Sequence, residues 1–222
     1  MRQAVFRVAA ALVVAATVAT APTAHGARAA RIAVIGDSYT AGSTEGGNGP
    51  RSWPQLTWKI LAQRGLQIDA DIAAEGGAGY GQRGNRGSIF EDLTAHAVQR
   101  NDVLVVFFGS RNDQPVDPRR FPDLAAGTFQ LARFAAPDAR FLVIGPPWPT
   151  ATPPPAVLKI RDSLRDQALA NGAEFVDPIA EGWFVGRPDL IGHDGVHPTD
   201  AGHAYMAERI APLIYRQLTI PV

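Results

Sequence analysis

Val103-Leu104-Val105-Val106-Phe107-Phe108, followed at once by Gly109-Ser110-Arg111-Asn112-Asp113, is the stretch that decides the fold. A strand sends alternate side chains to opposite faces, and here both alternating sets are apolar. A strand wet on one side would carry polar residues on that face, so this one predicts a central parallel strand covered by helices on both sides. Working outward, further aliphatic runs occupy residues 31–36, 66–73, 140–145 and 174–176. Between and after them, helical spacing of apolar residues recurs over 51–64, 88–100, 119–135, 155–171 and 199–218. Strand alternating with helix predicts a three-layer α/β/α sandwich on a parallel five-stranded sheet, with 103–108 in its middle. Asn171-Gly172 is a stop signal for the fourth helix, and Thr199 or Asp200 is a cap for the fifth.

The chain of 222 residues, 46% of them hydrophobic, is enough for one substantial core. Its first 26 residues hold Arg2 and Arg7, no acid, an apolar run over 8–21 and the small-residue ending Ala24-His25-Gly26. That order is expected of a secretory signal peptide cleaved after Gly26, or alternatively after Ala29, with 27–222 as the exported domain. The run is short for a membrane span and has no polar face for an interfacial anchor, so no stable membrane insertion is expected after cleavage. Without the leader, 19 basic residues face 21 acidic ones, a net charge near −2 that argues against a nucleic-acid partner. Cysteine is absent, which removes disulfides, thiol catalysis and cysteine-bound metals.

In an open α/β sheet, ligands sit outside the C-terminal ends of the strands. Those ends carry Gly36-Asp37-Ser38-Tyr39, then Glu75-Gly76-Gly77-Ala78-Gly79, then Gly109-Ser110-Arg111-Asn112-Asp113, then a stiff proline-rich loop over 145–155. Before the last helix comes Asp194-Gly195-Val196-His197-Pro198. A serine hydroxyl attacks only once a base takes its proton, and an imidazole does this best with a carboxylate fixing its tautomer. Ser38, His197 and Asp194 supply these parts, and Gly195 allows the turn that brings Asp194 beside the ring. An oxyanion then needs donors, for which the Ser38 N–H, a glycine N–H and the Asn112 amide are candidates.

The four segments together resemble the ordered blocks of the SGNH/GDSL hydrolases and span residues 31–203. The resemblance implies a flavodoxin-like fold and a serine esterase working through an acyl-serine, without cofactor or metal. It implies Ser38 as nucleophile and oxyanion donor, His197 as base and Asp194 as its orienting acid. Laying the family's Asn-x-Gly-x-x-Gly pattern on residues 74–79 makes Gly79 the glycine donor, with Gly77 second. Ala74 stands in place of the asparagine, and Ser110 in place of the glycine of the third block, whose Asn112-Asp113 is kept. The substrates implied are small-molecule esters, lipids or acylated sugars. Acyl transfer to an alcohol by the same fold, and a non-catalytic ligand-binding module, are the alternatives.

Other residues have plainer readings. Asp37 and Asp113 are read as shaping their loops by accepting backbone hydrogen bonds. Arg111 is read first as a member of an ion pair and second as an anchor for an anionic substrate group. Trp148, on the proline-rich loop, is the candidate pocket wall, while Trp53 and Trp183 divide between core and pocket. His193 and His203 flank His197, but the spacing suits no metal. A phosphate cradle of Ser38, Thr40, Gly42, Ser43 and Thr44 is the flavodoxin-like alternative; it leaves Asn112, Asp194 and His197 unused. Glycines 76–81 lack the full dinucleotide fingerprint.

Overall fold

A computed structural model of the chain describes residues 29–220. The leader and its first cleavage site lie outside these residues. The strands are β1 (Ala30–Gly36), β2 (Ile68–Ala74), β3 (Leu104–Phe108), β4 (Arg140–Ile144) and β5 (Glu174–Val176). The helices are α1 (Ser38–Ala41), α2 (Trp53–Gln63), α3 (Phe90–Ala97), α4 (Phe121–Ala135), α5 (Pro155–Ala170) and α6 (Asp200–Thr219). All strand pairs are parallel, in the order β2-β1-β3-β4-β5. The fold is a three-layer α/β/α sandwich with β3 at its centre.

Every residue of β3 is fully buried, and its alternation divides the core in two. Val105 and Phe107 pack with Phe90 and Leu93 of α3, Phe121 and Phe129 of α4 and Leu164 of α5. Leu104, Val106 and Phe108 face the other way, with Trp53 and Leu61 of α2 and Met206, Ile210 and Ile214 of α6. Each large apolar side chain taken fully out of water contributes about 1.5–3 kcal/mol, so two such faces anchor the strand firmly.

From β1 the chain passes to β2 on one side and then crosses to β3 on the other. The two following loops therefore diverge, opening a crevice at the C-terminal ends of β1 and β3. Ser38 lies directly beyond β1, and Asn112 beyond β3. Thr199 caps α6 by accepting the Gly202 N–H at 3.1 Å, whereas Asp200 accepts the Gly47 N–H at 2.9 Å and so ties down the loop after α1. The α1 helix has only four residues, too few to show a period in the sequence.

Candidate active site

Asp37 ends the first strand's extended run and caps α1. Its Oδ1 accepts the Tyr39 N–H at 2.8 Å, and its carbonyl accepts those of Thr40 and Ala41. The Ser38 N–H is left as the one donor of this turn that Asp37 does not hold. Gly36 precedes the turn because a Cβ there would stand 2.2 Å from Thr40 Oγ1.

His197 approaches from the far end of the chain. Ile191 bridges Pro198, Gly195 turns at φ +67°, and Asp194 Oδ1 accepts the N–H groups of Val196 and His197 at 2.8 and 2.9 Å. Asp194 Oδ2 lies 2.5 Å from His197 Nδ1, and His197 Nε2 lies 3.0 Å from Ser38 Oγ. Burial works against the charge on Asp194, but the bonds from the His197 ring and the two N–H groups outweigh it and hold the carboxyl at about 2. Tyr39 locks the two segments together: its hydroxyl donates to the Val196 carbonyl at 2.5 Å. Burial pushes that hydroxyl up to about 12, so it remains a donor.

Asn112 lines the same cleft. Its Nδ2 donates to the Ala78 carbonyl at 2.8 Å and approaches Asp37 Oδ2 at 3.2 Å. Asp37 has no exposed surface, and burial lifts its carboxyl to about 7 against the opposing pull of the Tyr39 N–H and Arg111.

The glycine expected to complete the donor set is displaced. The Gly79 N–H is spent on the Gln82 carbonyl at 2.9 Å, and Gly79 is packed so closely that a Cβ would lie 2.4 Å from Asp113 Oδ2. Asp113 also accepts the N–H groups of Tyr80, Gly81 and Gln82, at 2.8–2.9 Å. Gly79 thus serves the loop that Asp113 organises. Gly77, at φ +80°, lines the cleft instead, and no backbone carbonyl among the described residues takes its N–H.

The cleft has a volume of about 640 Å³. Besides Ser38, His197 and Asn112, its walls include Ser43, Thr44, Asn85, Arg111 and Gln114, with Val196 and Pro115 as the larger apolar groups. Asn85 and Gln114 were not singled out in the sequence, since isolated amides in loops give no pattern. Trp148 is not among the lining residues. Its ring lies under the Arg111 guanidinium at 4.3 Å, so it meets the cleft only through that side chain. Trp53 and Trp183 are core residues, 0% and 1% exposed. Thr40 does not face a ligand either, because its hydroxyl accepts from Trp53 Nε1 at 3.3 Å. His203 is buried in α6, where its Nδ1 accepts the Trp53 N–H at 3.2 Å and burial drives the ring down to about 4. Among the described residues, no group of three or more His, Asp or Glu side chains is gathered as a metal site would require.

Residues 34–205 match the profile of the GDSL-like lipase/acylhydrolase family. A GDSL lipase of Mycobacterium tuberculosis is 62% identical over 190 residues, covering 84% of this chain and 82% of that protein. Among solved structures, TesA superposes with a TM-score of 0.68 at 22% identity, covering 84% of this chain and 99% of its own. The psychrotrophic esterase EstA from Pseudoalteromonas sp. gives 0.66 at 16% identity, with coverages of 86% and 99%. A family two carbohydrate esterase from Clostridium thermocellum, in complex with cellohexaose, gives 0.67 at 20% identity, with coverages of 85% and 64%. At these identities the structures speak for the fold.

Proposed function

This chain belongs to the GDSL-like lipase/acylhydrolase family and is a carboxylic ester hydrolase, and from that premise we propose that it cleaves small, polar esters through an acyl-enzyme on Ser38. One observation carries the reading: His197 Nε2 stands 3.0 Å from Ser38 Oγ, while Asp194 holds the other ring nitrogen at 2.5 Å. With Nδ1–H donated to Asp194, Nε2 has its lone pair free for the serine proton, which is the tautomer a general base needs.

Ser38 Oγ attacks the ester carbonyl as its proton passes to His197 Nε2. The negative charge on the former carbonyl oxygen is met by the Ser38 N–H, the Gly77 N–H and the Asn112 amide. The Asn112 proton turned toward Asp37 is the one redirected, because that contact, at 3.2 Å, is longer than the one to Ala78. Collapse expels the alcohol, which takes the proton from His197. Water then enters and its oxygen bonds the acyl carbon as its proton passes to His197; the bond to Ser38 Oγ breaks, the carboxylic acid leaves, and His197 returns the proton to Ser38 Oγ. Each well-aimed oxyanion donor contributes about 3–4 kcal/mol to the transition state.

The hydroxyl and amide groups on the cleft walls favour small or sugar-borne acyl groups over long chains, which need extended apolar walls. No helix among the described residues is long and apolar enough to cross a membrane. The leader over 1–26 supports export to the cell envelope or medium.

The test is hydrolysis of p-nitrophenyl esters from acetyl to palmitoyl by the mature protein and its Ser38→Ala and His197→Ala variants. Turnover greatest on short acyl groups and nearly abolished in both variants is the expected result. An optimum at long chains overturns the substrate class, and full turnover in Ser38→Ala overturns the mechanism.

A further inference from the structure

Arg111 lines the cleft beside Asn112, and among the described residues no carboxylate lies within ion-pair distance of it. Its Nη1 is shut off from solvent and has no hydrogen-bond partner. The Tyr39 hydroxyl is the neutral group against this guanidinium; a guanidinium partly stripped of water with no carboxylate beside it is costly, so its position calls for an anion.

Three further features fit that anion arriving with the substrate. The Trp148 ring, 4.3 Å from the guanidinium carbon, takes up one face of the group, and the Trp148 indole is itself held by Thr150 Oγ1 at 3.2 Å. Stacking of this kind fixes the guanidinium plane and leaves the N–H donors free along its edge. No Asp or Glu is among the cleft-lining residues, and Asn85 and Gln114 add neutral amides. Asp37, the acid behind the cleft, lies beyond ion-pair distance of Arg111, and burial holds it toward its neutral form, so it offsets the guanidinium charge incompletely.

We propose that the cleft is built for esters bearing a carboxylate or phosphate near the scissile bond, and that Arg111 binds that group. The proposal rests on the reading of Ser38 as the nucleophile of this cleft. Arg111 reads substrate charge, whereas Ser38, His197 and Asn112 act on the ester itself.

The test uses matched acetyl esters: 4-acetoxybenzoate, 4-acetoxyphenyl phosphate and the neutral methyl 4-acetoxybenzoate. A second pair, mono-p-nitrophenyl adipate and p-nitrophenyl hexanoate, places the charge on the acyl side. At least one anionic ester is expected to exceed its neutral counterpart by roughly 10- to 100-fold in kcat/KM, mainly through KM, with the advantage shrinking as salt is added. The two anionic acetyl esters separate carboxylate from phosphate. Arg111→Gln should bring the anionic-to-neutral ratio close to one, and Arg111→Lys should keep part of it. Because the ratio is taken within one protein sample, a loss of folded material does not change it. Equal rates in every pair, or a preference that survives Arg111→Gln, overturns the proposal. An equal loss on charged and neutral esters in Arg111→Gln assigns the residue to the oxyanion and also overturns it. Hydrolysis of none of these esters or of p-nitrophenyl acetate defeats the Ser38 reading and the proposal with it.

Discussion

Asn112 Nδ2 stands 3.2 Å from Oδ2 of Asp37, a carboxyl with no exposed surface. The acid that caps the turn carrying Ser38 therefore also positions the amide beyond β3, so the ends of the two strands flanking the switch point are set against each other. Asp37 is more than a loop former, because one of its oxygens serves each strand end.

Burial lifts Asp37 from 3.8 to about 7. Between those values the folded chain keeps a proton that the unfolded chain has released, so this group's contribution to stability falls as pH rises. Each unit of separation corresponds to about 1.4 kcal/mol. Urea unfolding from pH 4 to 8 should show the wild type losing stability relative to Asp37→Asn across that range. Parallel curves would mean that Asp37 does not titrate there.

Asp194 is held at about 2 and so remains ionised throughout the working range. Asp194→Asn keeps the shape of the side chain but removes its charge and its preference for the Nδ1–H tautomer. The kcat should fall by roughly 10⁴, with little change in thermal melting, since the residue is on the surface side of its loop. A loss of less than tenfold would show that His197 is oriented by something else.

Gly77 and Gly79 should respond differently to alanine. At Gly77 the cost is mainly φ +80°, on the order of 1–2 kcal/mol, because the new Cβ meets nothing closer than Asn85 Oδ1 at 3.4 Å. At Gly79 the Cβ would collide with the Asp113 carboxylate at 2.4 Å and dislodge the three N–H groups it holds. Gly79→Ala should therefore melt well below Gly77→Ala in a calorimetric comparison. The reverse order would contradict the placement of this loop.

The fold was legible in the sequence because it rests on burial: the two-faced apolar run of β3 announced a covered central strand, and every other long element followed by alternation. The meeting of Ser38, His197 and Asp194 was legible because a turn residue and short spacing mark them. The glycine whose N–H stays free was not. Residues 74–79 hold three glycines, and which N–H stays free depends on Asp113, a partner more than thirty positions away that no local pattern names. Arg111 was read first as an ion-pair member for a related reason: a cation's lack of a partner is visible only once every neighbour is placed.

Ser38 and His197 are joined by a hydrogen bond across 159 positions of sequence. A growing chain therefore makes Ser38 early and His197 only after nearly nine-tenths of its residues. A fragment that ends before His197 cannot form this bond. With Ser38 read as the nucleophile, hydrolysis in a refolding experiment should appear only once the turn over residues 191–198 has met the end of β1, which makes turnover a clock for the closing of that contact.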